Sequence, residues 1–166
     1  MNASIIAIGS EMLGPTRVDT NSLKITAALE DFGVACARKS VVGDRLQDLV
    51  DEMRYCADRS DILITTGGLG PTEDDLTREA LMEAFGLKTE VDQSIIDRIE
   101  KRFAARGWKM PEVNKRQANV FVGQTTLKNE RGTAPAFHIQ VNGKDLWVFP
   151  GVPHELEWML ETYFVP

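Results

Sequence analysis

The sequence predicts an α/β fold built on a parallel sheet, and three observations carry that expectation. Strand-like and helix-like stretches alternate three times between residues 3 and 85, the order that lays helices against a parallel sheet. Residues 61–77, Asp-Ile-Leu-Ile-Thr-Thr-Gly-Gly-Leu-Gly-Pro-Thr-Glu-Asp-Asp-Leu-Thr, read as a buried strand, a glycine turn and an acidic helix start. Near the end, Asn142-Gly143 separates two alternating runs, the strongest short-range hairpin signal.

The elements follow in order. Residues 3–9 read as a buried strand ending at Gly9, with a polar loop from Ser10 to Asp19. Asp19 or Thr20 caps a helix whose apolar positions, Ile25, Ala28, Leu29 and Phe32, recur at i, i+3, i+4 and i+7. Gly33 stops it. Residues 34–42 form the second strand. Asp44 then opens a helix with Gln47 at the capping-box position, and Leu46, Leu49, Val50, Met53, Cys56 and Ala57 make its stripe. Ile62, Leu63 and Ile64 form the central strand, apolar throughout as a strand covered on both faces is.

The third helix runs from about Asp75 to Phe85, with Thr72 and Asp75 spaced like a capping box and Gly86 as the stop. Asp92 starts a fourth, with Ile95, Ile96, Ile99 and Phe103 on one face and Arg98, Lys101, Arg102 and Arg106 on the other. Residues 107–118 are irregular and locally basic, and are expected to fold over the site. Residues 126–135 form a loop. The hairpin Ala136 to Val141 and Lys144 to Phe149 follows, then Pro150-Gly151-Val152-Pro153 and a last helix from His154. No repeat or linker interrupts the chain, so residues 1–166 read as one domain.

The net charge of −6 and the pI of about 5.0 argue against nonspecific nucleic-acid binding, which needs a basic face. No run approaches the roughly 18 apolar residues of a membrane span, and the first residues lack a basic signal-peptide start. No membrane partner and a cytoplasmic location are therefore expected. Cys36 and Cys56, in apolar contexts and without a CxxC, read as core residues rather than a disulfide. His138 reads as a structural strand residue with no carboxylate partner evident in the sequence, and His154 as a helix-start residue.

A glycine turn between a strand's carboxyl end and a helix N-terminus suits an anion, because free N–H groups and the helix dipole point at it. Gly67, Gly68 and Gly70 leave room for such a ligand, and Pro71 fixes the exit. It is not a Walker A loop, since no Gly-Lys-Ser/Thr follows, and Glu73 stands where a dinucleotide fingerprint needs its third glycine. Glu73, Asp74 and Asp75 would repel an anion unless a cation intervenes or one carboxylate does chemistry. Glu11, Asp19, Asp44 and Asp75 lie in the loops at the strand ends, where ligands of such folds bind. Asp44 and Asp75 also fit plain N-caps. Converging carboxylates suit Mg²⁺ held by few direct ligands plus substrate phosphates. Lys115 or Arg116 offers local charge to neutralise phosphate.

Thr66-Gly67-Gly68-Leu69-Gly70-Pro71-Thr72 with Asp74-Asp75-Leu76-Thr77 resembles the signature of the MoaB/Mog molybdopterin-binding fold, and more narrowly the N-terminal domain of CinA-type competence/damage-inducible proteins. Gly9 to Gly14, Asp19-Thr20-Asn21-Ser22, Asn114 with Gln117-Ala118, Asn129 to Pro135 (with Gly132 and Thr133) and Pro150-Gly151-Val152-Pro153 agree with it in order, over nearly the whole chain. The resemblance implies a three-layer α/β/α fold with a mostly parallel sheet. It implies hydrolysis of nucleotide pyrophosphates, ADP-ribose especially, with a divalent metal (Mg, Mn or Co) and potassium.

The Mog branch instead binds molybdopterin. Its two acidic functional positions match Asp44 and Asp75, the catalytic and metal-holding candidates, and its ligand loop matches Gly67, Gly68, Gly70 and Thr77. Gly9, Glu11, Asp19, Asn21, Thr66, Pro71, Asn114, Gln117, Gly132, Thr133 and Gly151 complete the expected substrate-binding set. The first loop departs from the family's Gly-Asp-Glu at Ser10, and Ala134-Pro135-Ala136 has alanine where glycine is common. Proteins of this kind usually continue into a C-terminal amidohydrolase domain, whose activity is not assigned to residues 1–166.

Three readings stay open: a metal-dependent nucleotide pyrophosphatase, a pterin-phosphate binder of molybdenum cofactor assembly, and a nucleotide-binding domain with a decayed hydrolytic site. In each, the partner is a phosphate-bearing small molecule, nucleotide or pterin. A homo-oligomer is expected, with Trp108, Trp158 and Phe164 as candidate surface apolar residues.

Overall fold

A computed structural model describes residues 1–164. Eight strands and five helices build it: β1 (Asn2–Ile8), α1 (Asn21–Asp31), β2 (Ala35–Val42), α2 (Leu46–Arg59), β3 (Ile62–Thr66), α3 (Thr77–Phe85), β4 (Thr89–Val91), α4 (Gln93–Ala104), β5 (Asn119–Phe121), β6 (Thr125–Leu127), β7 (Ala136–Val141), β8 (Lys144–Phe149) and α5 (Pro153–Tyr163). Short 3-10 segments occupy Ser10–Leu13 and Glu112–Ala118. The main sheet has the order β2-β1-β3-β8-β7-β6. β2, β1, β3 and β8 run parallel, while β7 and β6 are antiparallel to their neighbours.

The period-2 alternation of the strands feeds two cores. Ile6, Ile8, Leu63, Leu146 and Val148 pack with α2, α3 and α4 on one face, through Leu49, Met53, Leu81, Ile96 and Ile99. Ile5, Ile62, Ile64, Trp147 and Phe149 pack with α1 and α5 on the other, through Ile25, Leu29, Leu156 and Met159. Both faces are covered, hence the apolar runs in the parallel strands. The result is the expected three-layer α/β/α arrangement. β2 lies at the sheet edge and is largely exposed, with Arg38 and Lys39 discouraging edge-to-edge pairing.

The parallel strands end level. Ala7 pairs with Val41 and Thr66, and Thr66 pairs with Phe149. The ladder runs one step further, with the Gly9 N–H donating to the Val42 carbonyl and the Gly67 N–H to the Phe149 carbonyl, both at 3.0 Å. The four loops that follow β1, β2, β3 and β8 therefore leave the sheet side by side.

Several local expectations change. α3 begins at Thr77 rather than Asp75. The Asp75 carboxylate accepts from the Thr72 N–H (2.9 Å) and hydroxyl (2.6 Å), closing a turn ahead of the helix instead of capping it. Asp44 does not cap α2 with Gln47. The Asp44 carboxylate accepts from the Ser10 N–H and its own N–H donates to the Ser10 hydroxyl, both at 2.9 Å, while Gln47 donates to Asp51. Asp19 does cap α1, accepting from the Ser22 N–H at 3.0 Å, and Asp92 caps α4 through Ser94.

Part of the segment read as loop is strand β6, paired with β7, and the short β4–β5 ribbon was not evident in the sequence. Both are three-residue strands, too short for an alternation to register. Phe164 is buried and Trp158 half-buried against the α1/α5 core, so of the three expected surface apolar residues only Trp108 is exposed.

His138 has a carboxylate partner after all. Its Nε2 lies 2.6 Å from the Asp145 carboxylate across the hairpin, and its ring stacks on Trp147 at 4.1 Å. Cys36 and Cys56 are both free thiols. Burial, then the Glu52 carboxylate, pushes the Cys56 thiol up to about 11, as suits an inert core residue.

Candidate functional site

The loops at the carboxyl edge of the sheet enclose a cleft of about 650 Å³. Of the residues expected to bind, Gly9, Glu11, Asp44, Gly67, Gly68, Gly70, Pro71, Asp75, Gln117, Thr133 and Gly151 line it. Asn21, Thr66, Thr77 and Asn114 stand behind it and hold its walls, while Asp19 and Gly132 do not line it.

Asn21 is buried and donates to the Thr66 hydroxyl (2.9 Å) and the Gly151 carbonyl (2.8 Å), and Thr66 donates on to the Pro150 carbonyl (3.0 Å). Three loops are thereby tied together. Thr77 is fully buried, its hydroxyl donating to the Gly67 carbonyl (2.7 Å) and its N–H to the Gly68 carbonyl (3.1 Å). Thr77 thus supports the glycine loop from beneath. Asn114 donates to the Gln117 side chain at 3.1 Å and sets its pose. Asp19 serves as the cap of α1, outside the cleft wall.

Among the described residues, the N–H groups of Gly68, Leu69 and Gly70 donate to no protein acceptor. Unpaired backbone N–H groups in a turn of this kind are the feature for which the sequence led us to expect an anion. The side chains around it are acidic. Glu11, Asp44, Asp74, Asp75 and Glu155 line the cleft against one cation, Arg17.

The expected phosphate cations are engaged elsewhere. Lys115 pairs with Glu112 at 2.7 Å, and Arg116 pairs with Glu79 at 2.6 Å and donates to the Thr72 carbonyl. Segment 107–118 reaches the cleft through Gln117. Arg17, in the loop after β1, is the cation that lines the cleft in their place.

Nothing local in the sequence marks Arg78 or Glu155, and Asn129 stands out there only as the first residue of the stretch Asn129 to Pro135. Arg78 is 3% exposed. Its guanidinium donates to the carbonyls of Asn119 (3.1 Å), Leu69 (3.1 Å) and Gln117 (3.5 Å). It thus joins the glycine loop to the opposite wall. Burial pushes this guanidinium down to about 10, which leaves it charged at neutral pH. Arg78→Met leaves those buried carbonyls without their donor, at a cost of about 2–4 kcal/mol. A thermal melt should show a drop of several degrees, and an unchanged melting temperature would remove Arg78 from this role.

Asn129 is completely buried and fully used. Its amide donates to the Ala134 carbonyl (2.9 Å) and Glu155 (2.6 Å), and its oxygen accepts from the N–H groups of Arg131 (2.9 Å) and Gly132 (2.8 Å). The basic face of α4 holds the same loop from outside. Arg98 donates to the carbonyls of Asn129, Gly132 and Thr133, and Arg102 to those of Glu130 and Arg131. The charge pattern of α4 was legible in the sequence; its target was not.

The carboxylates suit a hard divalent cation. One oxygen each of Asp44 and Asp75 is held by protein donors, which fixes the side chains and leaves the second oxygen available. No group of three or more His, Cys, Asp or Glu side chains among the described residues is arranged to hold a metal by itself. An ion here would keep water and take phosphate oxygens, as Mg²⁺ does.

Residues 4–166 match the family described as "Probable molybdopterin binding domain". A CinA-like protein of Solibacter usitatus is 49% identical over 166 residues, which cover all of this chain and 40% of that relative. The chain thus spans about 40% of the length of the curated relatives it matches. The crystal structure of CinA from Thermoplasma acidophilum is similar with a TM-score of 0.87 at 32% identity, covering 96% of this chain and 94% of that one. MoaB of Thermus thermophilus, titled a molybdopterin biosynthesis enzyme, shares the fold with a TM-score of 0.63 at 19% identity, covering 98% and 91%. Among the described residues no helix is long and apolar enough to cross a membrane. Fold, glycine loop and relatives agree: the chain belongs to the molybdopterin-binding-domain family of the MoaB and Mog proteins, within its CinA-like group.

Proposed function

We propose that this domain binds a nucleotide pyrophosphate of the ADP-ribose kind together with a divalent cation, and hydrolyses it. One observation carries the reading: free backbone N–H groups of the glycine loop sit among five carboxylates with Arg17 as the lone lining cation. Backbone donors invite phosphate, whereas the carboxylates repel it. A divalent ion held by the cleft carboxylates would offset that repulsion and would supply Lewis-acid polarisation of a phosphoryl oxygen. Asp44 and Asp75 are the side chains to hold it. The glycine loop orients the phosphates, and Arg17 neutralises charge at the mouth.

Binding of a pterin phosphate is the second reading. It is favoured by the family's description and by the likeness to MoaB, and it asks for anion binding without turnover. The third, a decayed hydrolytic site, rests on Ser10. Its hydroxyl takes the Asp44 N–H, so Asp44 is held firmly without a carboxylate at position 10.

The test is product analysis. The pure chain is incubated with ADP-ribose, FAD and NAD, each with Mg²⁺, Mn²⁺ or Co²⁺, in potassium buffer. AMP release is the expected result. No turnover with any pair rejects the hydrolytic reading, and calorimetry with molybdopterin and ADP-ribose then separates the other two. Gain of turnover in Ser10→Asp, where the wild type has none, identifies a decayed site.

A homo-oligomer in the cytoplasm belongs to the same proposal. Trp108, 63% exposed, and Val113, 49% exposed, supply apolar surface on one segment. Light scattering at micromolar concentration should return more than the 18.5 kDa of one chain; a monomer mass ends that part of the proposal.

A further inference from the structure

The geometry points to Glu155 as the general base of the cleft, the group that takes the proton from the attacking water; this rests on the hydrolytic reading above. Glu155 lies in the first turn of α5, lines the cleft and is 9% exposed. A carboxylate so far from solvent is costly to keep unless it is held. Here it is held on one side only. Oε2 accepts from the Asn129 amide at 2.6 Å, and Oε1 meets no protein donor among the described residues. Asn129 is itself locked by three further hydrogen bonds, and Arg98 fixes the loop around it.

The space for this side chain is built in. A Cβ added at Gly132 would stand 2.2 Å from the Glu155 carboxyl carbon, so any larger residue there would drive the carboxylate from its place. The remaining carboxylates fit the part less well. Glu11 and Asp74 are exposed and make no hydrogen bond that fixes them among the described residues. Asp75 already accepts two donors from Thr72, and Asp44 is bound to the Ser10 loop. Glu155 is the cleft carboxylate that combines burial, a fixed pose and an open oxygen.

The step balances without a further reactant. The water oxygen bonds to one phosphorus as its O–H bond breaks, and the proton passes to Glu155 Oε1. The bridging P–O bond breaks, and its electron pair leaves with the second phosphate. Glu155 then returns the proton to solvent.

The test compares wild type, Glu155→Gln, Gly132→Ala and Asp75→Ala with ADP-ribose and Mg²⁺, reading kcat, KM, the pH profile of kcat/KM and the melting temperature. Glu155→Gln should lower kcat by about 10²–10⁴-fold with little change in KM, and should abolish the fall of kcat/KM on the acid side, which reports protonation of the base. Gly132→Ala keeps the carboxylate but displaces it, and should lower kcat at least about tenfold by the same mechanism.

A merely structural Glu155 would lose rate at every pH and keep the acid limb; that result overturns the assignment. So does near wild-type turnover in Glu155→Gln. Should Glu155→Gln fail to fold, near wild-type turnover in Gly132→Ala overturns it instead. If the wild type itself turns nothing over, the hydrolytic reading falls and this one with it. If Asp75→Ala is dead while Glu155→Gln is active, only the Glu155 assignment falls.

Discussion

Gly67→Ala should lower the melting temperature by roughly 6–12 °C, from a loss of about 3 kcal/mol or more. Two costs act together. Gly67 has φ +108, a region that side chains of L-residues rarely enter, with strain of about 1–3 kcal/mol. A Cβ there would also stand 2.2 Å from the Ile8 carbonyl oxygen. That atom is backbone of the buried strand β1, so it has little room to yield. Gly123→Ala is the control. It has φ +73 but nothing within 4 Å of an added Cβ, so only strain applies. About 1 kcal/mol, or 2–4 °C, is expected there. Thermal melts of the two variants separate close approach from strain. Equal shifts would show that the contact of the glycine loop with β1 is not what makes position 67 demanding.

Asp75→Ala should remove about 10²–10⁴-fold of the turnover with ADP-ribose and divalent ion, while the protein stays folded. The carboxylate is half-buried; it accepts the two donors of Thr72 and packs against Gly70. Losing the hydrogen bonds of such a turn costs about 1 kcal/mol, a melting shift of only a few degrees. Chemistry and stability should therefore part company at this residue, the opposite of Gly67. Binding should follow the metal: calorimetric affinity for ADP-ribose should fall in Mg²⁺ and change little in EDTA, because without the ion the carboxylate only repels phosphate. Wild-type turnover in Asp75→Ala would sink the assignment. Equal loss of affinity in EDTA would show that Asp75 acts by shaping the glycine loop, not by holding a cation.

Much of this protein follows from local pattern alone. The strand–helix order needs only the periodicity of apolar residues, and the parallel sheet follows from that order. The glycine turn, with Gly67, Gly68 and Gly70 before an acidic helix start, marks a candidate anion site through backbone chemistry that neighbours at short range determine. Asp19 and Asp92 act as caps, which is likewise local. The order of Thr66 to Thr77, together with the agreeing stretches along the chain, carried the family resemblance.

Tertiary structure decided what the polar side chains face. Asp44 and Ser10 are 34 residues apart and bond because β1 and β2 end side by side. That pairing took Asp44 from a capping role. Glu155 reached the cleft because β8 runs parallel beside β3, bringing the start of α5 to the same edge as the glycine loop. A hairpin signal specifies that β7 and β8 pair, but not which outer strand β8 will meet. Arg78 and Arg116, both basic and both near the site in sequence, parted for the same reason: one is buried on carbonyls, the other is paired with Glu79. Sequence spacing sets which face of an element a residue occupies. Only the packing of distant elements sets what that face meets, and the charges of this cleft are arranged at that level.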